Sequence, residues 1–271
     1  MTPLRPIIIQ KEDNMFRKTG LTVLLSLALT SPVLAETLNV GISAEPYPPF
    51  YVPDAAGAWS GWEIDLMTQL CDRLGAECVV TPIAWDGIIP ALTTGKIDMI
   101  MGSMAITPAR AEQIAFSDKY YAAPTGLMTQ AGSEITPTPE GVTGAFIGAQ
   151  SGSIQEVYAN KYFADTAGAI RIYQNLDEEL QDLASGRLDA VIGDSLAMQP
   201  FAQSDAGQAC CEYKGAVQPD PEVLGYGIGA GLRQEDTDLM ARVNTALADI
   251  RKDGAYQQIT DRYFSIDIYG E

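Results

Sequence analysis

The sequence predicts an α/β protein made of two similar units. Short apolar runs, typical of buried strands, alternate along the chain with segments of helical periodicity. Such alternation is typical of largely parallel sheets flanked by helices. A twelve-residue pattern also occurs twice, since residues 92–103 read LTTGKIDMIMGS and residues 183–194 read LASGRLDAVIGD. The alternative is a chance match, because a helix, a glycine and a strand often follow one another in α/β proteins.

The elements follow from this alternation. Strands are expected at residues 37–41, 78–81, 97–101, 145–149, 170–173, 188–192 and 226–229. Helices are expected at residues 61–74, 176–185, 237–251 and 256–263. The small-residue stretch 122–124 and the Pro-Asp-Pro sequence 219–221 are the expected boundaries between the two units.

Residues 1–35 have the pattern of a signal peptide. Arg17 and Lys18 precede an apolar core at residues 21–29, and small residues end this stretch at Ala35. The apolar core is much shorter than the roughly 20 residues that span a bilayer. We therefore expect cleavage and export to the periplasm of a Gram-negative cell, with Met15 as an alternative start.

The composition excludes several classes of function. The chain has 17 basic and 35 acidic residues, and without residues 1–35 its net charge is −20. Nucleic acids and anionic membranes are poor partners for such a protein. The sequence has no histidine, no Cys-x-x-Cys pair and no glycine-rich phosphate motif, which argues against histidine triads and the commonest zinc sites. We expect neither a metal nor a cofactor.

All four cysteines lie in the exported part, where disulfides form. Cys71 lies near the end of the first expected helix and Cys78 begins the next strand, so a bridge would join the two. Cys210 and Cys211 are adjacent, which leaves three alternatives: a vicinal disulfide in a strained ring, free thiols or intermolecular bridges. A structural role is favoured for all four.

Arg110 is the first candidate for ligand binding. Thr107 and Pro108 match a helix start, which places Arg110 in the first helical turn. Backbone N–H groups at a helix start and a guanidinium together suit a carboxylate or phosphate. The alternative is a surface ion pair with Glu112 or Asp118.

The repeated pattern favours the binding role. One copy ends in Gly102-Ser103 and the other in Gly193-Asp194, and ligands of open α/β sheets bind at the carboxyl ends of strands. Two such ends facing each other would form a cleft for a zwitterion. Arg110 would bind its carboxylate and Asp194 its ammonium group.

Two aromatic residues are further candidates. Tyr47 lies in a proline-stiffened loop after the first strand, and Trp85 precedes Asp86, which is expected to cap the next helix. Rings at strand ends can sandwich a ligand side chain and attract a cation. The alternative is a core position, which we favour for Phe50 and Trp62.

Four segments of the chain together resemble a known family. They are GWEIDL at residues 61–66, WDGIIPAL at 85–92, ITPAR at 106–110, and the end of the chain from KDG at 252–254 to YF at 263–264. These resemble the periplasmic polar amino-acid-binding proteins of ABC importers, particularly the histidine, lysine/arginine/ornithine and opine receptors. The resemblance implies a type II periplasmic binding fold, with two lobes that are each a mixed sheet flanked by helices. Residues 36–121 and 225–271 would form lobe 1, and residues 122–224 would form lobe 2, with hinge strands at both ends.

The resemblance also implies a function and a site. The protein would be a monomeric receptor, not an enzyme, that passes an amino acid to a membrane permease. Arg110 would bind the α-carboxylate, helped by backbone around Ser103 and Ser153, while Asp194 binds the ammonium group and the aromatic rings stack on the side chain. The implied ligand-binding residues are Glu45, Tyr47, Trp85, Gly102, Ser103, Ala105, Arg110, Ser153, Ile154 and Asp194. Cys71 and Cys78 match the disulfide of the basic amino-acid receptors.

The chain departs from the family pattern in several places. Trp62 and Glu63 replace the usual Phe and Asp, while Ala105 and Ile154 replace hydroxyl residues that face the ligand. The first loop is one residue longer, and Glu45 in it is a candidate for a distal cationic group. One alternative function is an exported cyclohexadienyl dehydratase-like enzyme, for which Glu45 would be the general acid. Another is a ligand-sensing domain.

Overall fold

The computed structural model describes residues 36–270, so the predicted signal peptide lies outside the described residues. The strands are β1 (Glu36–Ser43), β2 (Val52–Pro53), β3 (Trp59–Ser60), β4 (Ala76–Ile83), β5 (Met99–Ile100), β6 (Ala115–Phe116), β7 (Thr125–Gln130), β8 (Phe146–Gln150), β9 (Ala169–Tyr173), β10 (Ala190–Asp194), β11 (Cys211–Ala216) and β12 (Gly231–Leu232). The helices are α1 (Trp62–Leu74), α2 (Ile88–Thr93), α3 (Pro108–Ala111), α4 (Ile154–Tyr162), α5 (Leu176–Ala184), α6 (Ser195–Gln203), α7 (Asp205–Cys210), α8 (Pro221–Leu224), α9 (Thr237–Lys252) and α10 (Ala255–Thr260).

Two five-stranded mixed sheets organise the chain. The first has the order β4-β1-β5-β12-β6, in which β1 is parallel to β4 and β5, and β12 is antiparallel to β5 and β6. The second has the order β11-β7-β10-β8-β9, in which β8 is parallel to β9 and β10, and β7 is antiparallel to β10 and β11. The predicted α/β class with two mixed sheets is confirmed.

The repeated sequence pattern corresponds to a repeated structure. In each copy a glycine follows the end of the helix. Gly95 follows α2 and Gly186 follows α5, and both have a φ of 74°, in the left-handed region that favours glycine. The aspartate that follows accepts a hydrogen bond from the neighbouring parallel strand: Asp98 from the N–H of Asn39 at 2.9 Å, and Asp189 from the N–H of Phe146 at 2.8 Å. The predicted repeat is therefore confirmed. The first copy continues into β5, which is parallel to β1, and the second continues into β10, which is parallel to β8.

Helix α1 matches its prediction closely. It ends at Gly75 in the left-handed conformation, and the Cys71–Cys78 disulfide joins its last turn to β4. Cys210 and Cys211 are also bonded to each other, which selects the vicinal alternative. Phe50 and Trp62 have no solvent-exposed surface, so the core positions favoured for them are confirmed.

Some predicted elements differ from the structure. The strand expected at residues 226–229 is wrong, because Gly225 and Gly227 have positive φ and only Ile228 makes isolated bridges, while the strand β12 lies at Gly231–Leu232. The strand expected at 97–101 is limited to β5. Asp86 does not cap a helix, because it lies within a turn of 3₁₀-helix at Trp85–Gly87 and the N-cap of α2 has no side-chain hydrogen bond.

None of the helices within residues 36–270 is both long and apolar enough to cross a membrane. Within the same range, no group of three or more acidic or cysteine side chains is arranged to hold a metal ion.

Glu179 is a buried acid whose replacement we expect to stabilise the fold. It is a fully buried residue of α5, and neither of its carboxylate oxygens has a hydrogen-bond partner among residues 36–270. Burial raises the pKa of Glu179 well above its ordinary value of 4.5. Replacing a buried, unpaired acid with an apolar side chain of similar volume removes a desolvation cost of about 1–3 kcal/mol. Glu179→Met is therefore expected to increase the free energy of unfolding by an amount in this range.

The gain should depend on pH in a defined direction. A group whose pKa is raised in the folded state contributes less stability as the pH rises above its unfolded pKa. The gain from Glu179→Met, measured by urea unfolding, should thus be larger at pH 8 than at pH 5. The exposed neighbour Glu178 provides the control, since Glu178→Met is expected to change stability by less than about 0.5 kcal/mol. A loss of stability in Glu179→Met would contradict this account.

Candidate functional site

A single cavity of about 560 Å³ brings the predicted site residues together. It is lined at the carboxyl ends of β1, β4 and β5 from the first sheet and of β8, β9 and β10 from the second. The ten residues predicted to bind the ligand all line it: Glu45, Tyr47, Trp85, Gly102, Ser103, Ala105, Arg110, Ser153, Ile154 and Asp194. Parallel strands of both sheets thus end at one cleft, as expected for open α/β sheets. The role of each residue toward a ligand stays a prediction.

Arg110 is placed by the predicted helix start. Pro108 occupies the first position of α3, and the hydroxyl of Thr107 accepts a hydrogen bond from the backbone N–H of Arg110 at 3.2 Å. Burial lowers the pKa of Arg110 to about 10, so the guanidinium stays cationic at neutral pH. It therefore carries a positive charge into the cavity.

The guanidinium of Arg110 contacts backbone carbonyls and not surface acids. Its Nη1 donates to the carbonyl of Ala105 at 3.1 Å and its Nη2 to the carbonyl of Gly152 at 3.3 Å. The alternative of an ion pair with Glu112 or Asp118 is therefore wrong. Since a guanidinium has five N–H donors, donors remain for a ligand carboxylate.

The carbonyl of Gly152 connects the two sides of the cleft. In addition to the Arg110 bond, it accepts a hydrogen bond from the indole Nε1 of Trp85 at 3.3 Å. The Arg110 guanidinium carbon lies 5.4 Å from the centre of the Trp85 ring. Both donors follow strands of the first sheet, whereas Gly152 follows β8 of the second. Sequence reasoning missed Gly152, because a carbonyl contact leaves no side-chain signal.

Asp194 forms the opposite wall of the cavity. Its carboxylate caps α6 by accepting hydrogen bonds from the backbone N–H groups of Leu196 at 2.7 Å and Ala197 at 3.1 Å. Burial nevertheless raises its pKa to about 6. Among the described residues no cation forms a salt bridge with it. A buried carboxylate without a counter-ion fits a positively charged ligand group.

The first loop contributes an aromatic ring and a second acid. The Tyr47 ring stacks on Phe50 and Tyr51, with centroid distances of 5.8 and 5.7 Å. The Glu45 carboxylate accepts a hydrogen bond from the hydroxyl of Ser43 at 2.6 Å. This wall therefore adds an apolar surface and a negative charge to the cavity.

Backbone N–H groups also reach the cavity. Ser153 caps α4, whose first residue Ile154 lines the cavity, so the positive end of this helix faces it. Ala105 has a backbone N–H with no acceptor among residues 36–270. The N–H and the hydroxyl of Ser103 both donate to Glu63, so these two groups already have an acceptor.

Several cavity residues were not anticipated from the sequence. Among them are Tyr51, Thr125, Gln150, Gln155, Asn175 and Leu176. Asn175 was the most accessible to prediction, because it follows a strand and its side chain caps α5 through the N–H of Glu178 at 2.9 Å. Thr125 and Gln155 lie on β7 and α4, which the sequence pattern did not predict.

Comparisons with known proteins agree with this geometry. A family model for bacterial extracellular solute-binding proteins, family 3, matches residues 38–266. The lysine/arginine/ornithine-binding periplasmic protein of Escherichia coli strain K12 is 38% identical over 254 residues, which cover 93% of this chain and 97% of the relative. The histidine-binding periplasmic protein of the same strain is 36% identical over 261 residues, with coverages of 94% and 99%. A solved ancestral arginine-binding protein bound to arginine has a TM-score of 0.76 and 32% identity, over 84% of this chain and 98% of that one.

Proposed function

The chain belongs to family 3 of the bacterial extracellular solute-binding proteins, and from this premise we propose that it is a periplasmic receptor for a cationic amino acid or a derivative of one. It captures the ligand between its two lobes and delivers it to the membrane permease of an ABC transporter. The matched relatives named above are binding proteins for lysine, arginine, ornithine and histidine. Their names support the cationic class.

The opposed charges of Arg110 and Asp194 carry this proposal. Arg110 keeps guanidinium donors for an α-carboxylate, and Asp194 is a buried acid without a counter-ion. Each charge is costly to bury alone, and a zwitterion compensates both at once. The additional carboxylate of Glu45 and the rings of Tyr47 and Trp85 suit a cationic side chain.

Closure of the lobes supplies the mechanism. The chain leaves the first sheet after β6 and returns to it at β12, so two connections join the sheets. We place lobe 1 at residues 36–121 and 225–271, and lobe 2 at residues 122–224, with hinges at both ends. A ligand that contacts both lobes favours the closed arrangement, which is the one a permease can recognise.

The dehydratase alternative has less support. It requires a general acid in the cleft, and Glu45 is the candidate. Within residues 36–270 its carboxylate has one hydrogen-bond partner, the hydroxyl of Ser43, and no second catalytic group beside it. The matched relatives are named for binding and not for catalysis.

A thermal-shift panel tests the proposal. The protein without residues 1–35 is mixed with each standard amino acid, ornithine, citrulline, opines and prephenate. A ligand at one hundred times its dissociation constant stabilises by about 2.7 kcal/mol. For a chain of this size we expect a rise in Tm of about 5–10 °C with lysine, arginine, ornithine or a related derivative. A response to prephenate, with its turnover, would favour the enzyme, and no response to any α-amino acid would refute the receptor.

Ligand binding should depend on pH through Asp194. The ligand ammonium needs the ionised carboxylate, and the pKa of Asp194 without ligand is about 6. Because only the ionised fraction is competent to bind, the apparent Kd for arginine or lysine should be about tenfold higher at pH 5 than at pH 7. Neither ligand changes its own charge over this range.

Calorimetric titration at several pH values measures this effect. The stability of the unliganded protein should fall as the pH rises, while the affinity increases, because an acid with a raised pKa loses its contribution to stability as the pH rises from 3.8 through about 6. The ligand-induced rise in Tm should consequently increase across the same window. A Kd that is constant from pH 5 to 7 would show that Asp194 does not face the ammonium group.

A further inference from the structure

We infer that Glu63 is a positioning residue for ligand binding, because it holds the turn at residues 102–105 in the shape that lines the cavity. The inference rests on the proposed function for its effect on affinity, whereas its effect on the turn can be measured without a ligand. Glu63 itself does not line the cavity. It lies in the first turn of α1 and has no exposed surface.

Three donors converge on the Glu63 carboxylate. The backbone N–H of Ser103 donates to Oε1 at 2.9 Å, and the Ser103 hydroxyl donates to Oε2 at 2.8 Å. The hydroxyl of Tyr120 also donates to Oε1. A carboxylate is the side chain that accepts all three, since it has two oxygens and no donor when ionised.

Ser103 needs this support for a conformational reason. Its φ is 57°, which makes it the one non-glycine residue with positive φ among residues 36–270. A side chain in this region costs energy that surrounding contacts must offset. The two hydrogen bonds to Glu63 fix both the backbone and the side chain of Ser103, so they are the contacts that hold the strained turn.

The turn leads directly to the ligand site. Gly102, Ser103 and Ala105 line the cavity, and the carbonyl of Ala105 accepts the 3.1 Å hydrogen bond from Arg110. Displacement of Ser103 would thus move both the carbonyl of Ala105, which accepts the Arg110 bond, and the N–H of Ala105. Through these contacts Glu63 orients groups that it does not touch.

The surroundings of Glu63 are uncommon for a carboxylate. Burial raises its pKa, and the hydrogen bonds from Tyr120 and Ser103 partly offset this, while Asp194 raises it further. Tyr51 and Tyr121 lie close enough to interact electrostatically with Glu63. No cation within residues 36–270 forms a salt bridge with Glu63. Hydrogen bonds therefore offset the cost of burying the Glu63 carboxylate. We expect the loss of one acceptor oxygen to change the conformation of Ser103.

The test compares Glu63→Gln with wild type in two measurements. Hydrogen exchange of peptides covering residues 99–111, without ligand, should be faster in Glu63→Gln. The Kd for the ligand found in the panel should rise about tenfold or more, because the amide has a single acceptor oxygen and its NH2 group replaces the oxygen that accepts the Ser103 hydroxyl. Glu179→Gln is the matched control, since it neutralises another buried glutamate outside the cavity and should change neither quantity.

Two further variants separate positioning from general loss of stability. Ser103→Gly adopts positive φ without help, so adding Glu63→Gln to it should raise Kd much less than in wild type. If Glu63→Gln does not fold, Tyr120→Phe removes one donor bond and should produce a smaller increase in exchange and in Kd.

Unchanged exchange and Kd in Glu63→Gln would overturn the inference, as would an equal effect of Glu63→Gln in both backgrounds. If wild type binds no amino acid, the proposed function fails, and the exchange measurement still decides the role of Glu63 in the turn.

Discussion

Arg110→Ala is expected to weaken binding of a cationic amino acid by about 100- to 1000-fold. The change removes the cationic partner proposed for the ligand carboxylate and leaves that carboxylate without it in the cleft. Truncating one member of a buried, hydrogen-bonded charge pair costs about 2–5 kcal/mol, or about 30- to 4000-fold in affinity, and the expected loss lies within this range. It also removes the bonds to the carbonyls of Ala105 and Gly152, the second of which crosses the cleft.

Arg110→Lys separates charge from geometry. Lysine keeps the positive charge but lacks the planar fork that binds a carboxylate through two parallel bonds. We expect it to recover only part of the lost affinity in calorimetric titration. Arg171→Ala serves as the control, because Arg171 lies on β9 outside the cavity and contacts Phe146. Arg110→Ala with wild-type affinity and an intact fold would place the carboxylate site elsewhere.

The sequence was informative where local chemistry determines local structure. The Thr107-Pro108 start of α3, the Gly75 end of α1 and the two copies of the glycine-aspartate pattern each formed as predicted. In each case the signal is a residue type with a strong conformational or capping preference. These signals also place Arg110 in the first turn of α3 and Asp194 at the end of β10, which is why the cavity could be anticipated.

The features that were missed depend on contacts between distant segments. β7 reads TGLMTQ and lacks a clear alternation, yet it is buried because its two faces pack into different parts of the core, Met128 in one and Leu127 in the other. The role inferred for Glu63 follows from its proximity to Ser103, 40 residues away, which no local pattern reports. The vicinal bond of Cys210 and Cys211 was one of several alternatives that spacing alone could not separate.

Asp194→Asn should have an effect as large as that of Arg110→Ala. Asparagine has nearly the same shape and is also a good N-cap, so its side-chain oxygen can still accept the hydrogen bonds from Leu196 and Ala197. The variant therefore keeps the cap of α6 and removes only the negative charge. Burial raises the pKa of Asp194 to about 6, so the variant also removes a cost of ionisation, and the unliganded protein should be as stable as wild type or more stable at pH 7.

Affinity and stability should thus change in opposite directions in Asp194→Asn. The ligand ammonium would lose its charged partner and we expect the Kd to rise by about 100-fold or more, while the dependence of Kd on pH between 5 and 7 disappears. Asp189→Asn is the matched control just before the same strand, because Asp189 accepts a hydrogen bond from the N–H of Phe146 and does not line the cavity. It should leave both the Kd and its pH dependence as in wild type. If Asp194→Asn instead binds arginine or lysine normally with the pH dependence intact, another acid of the cavity holds the ammonium group, and Glu45 would be the next to replace.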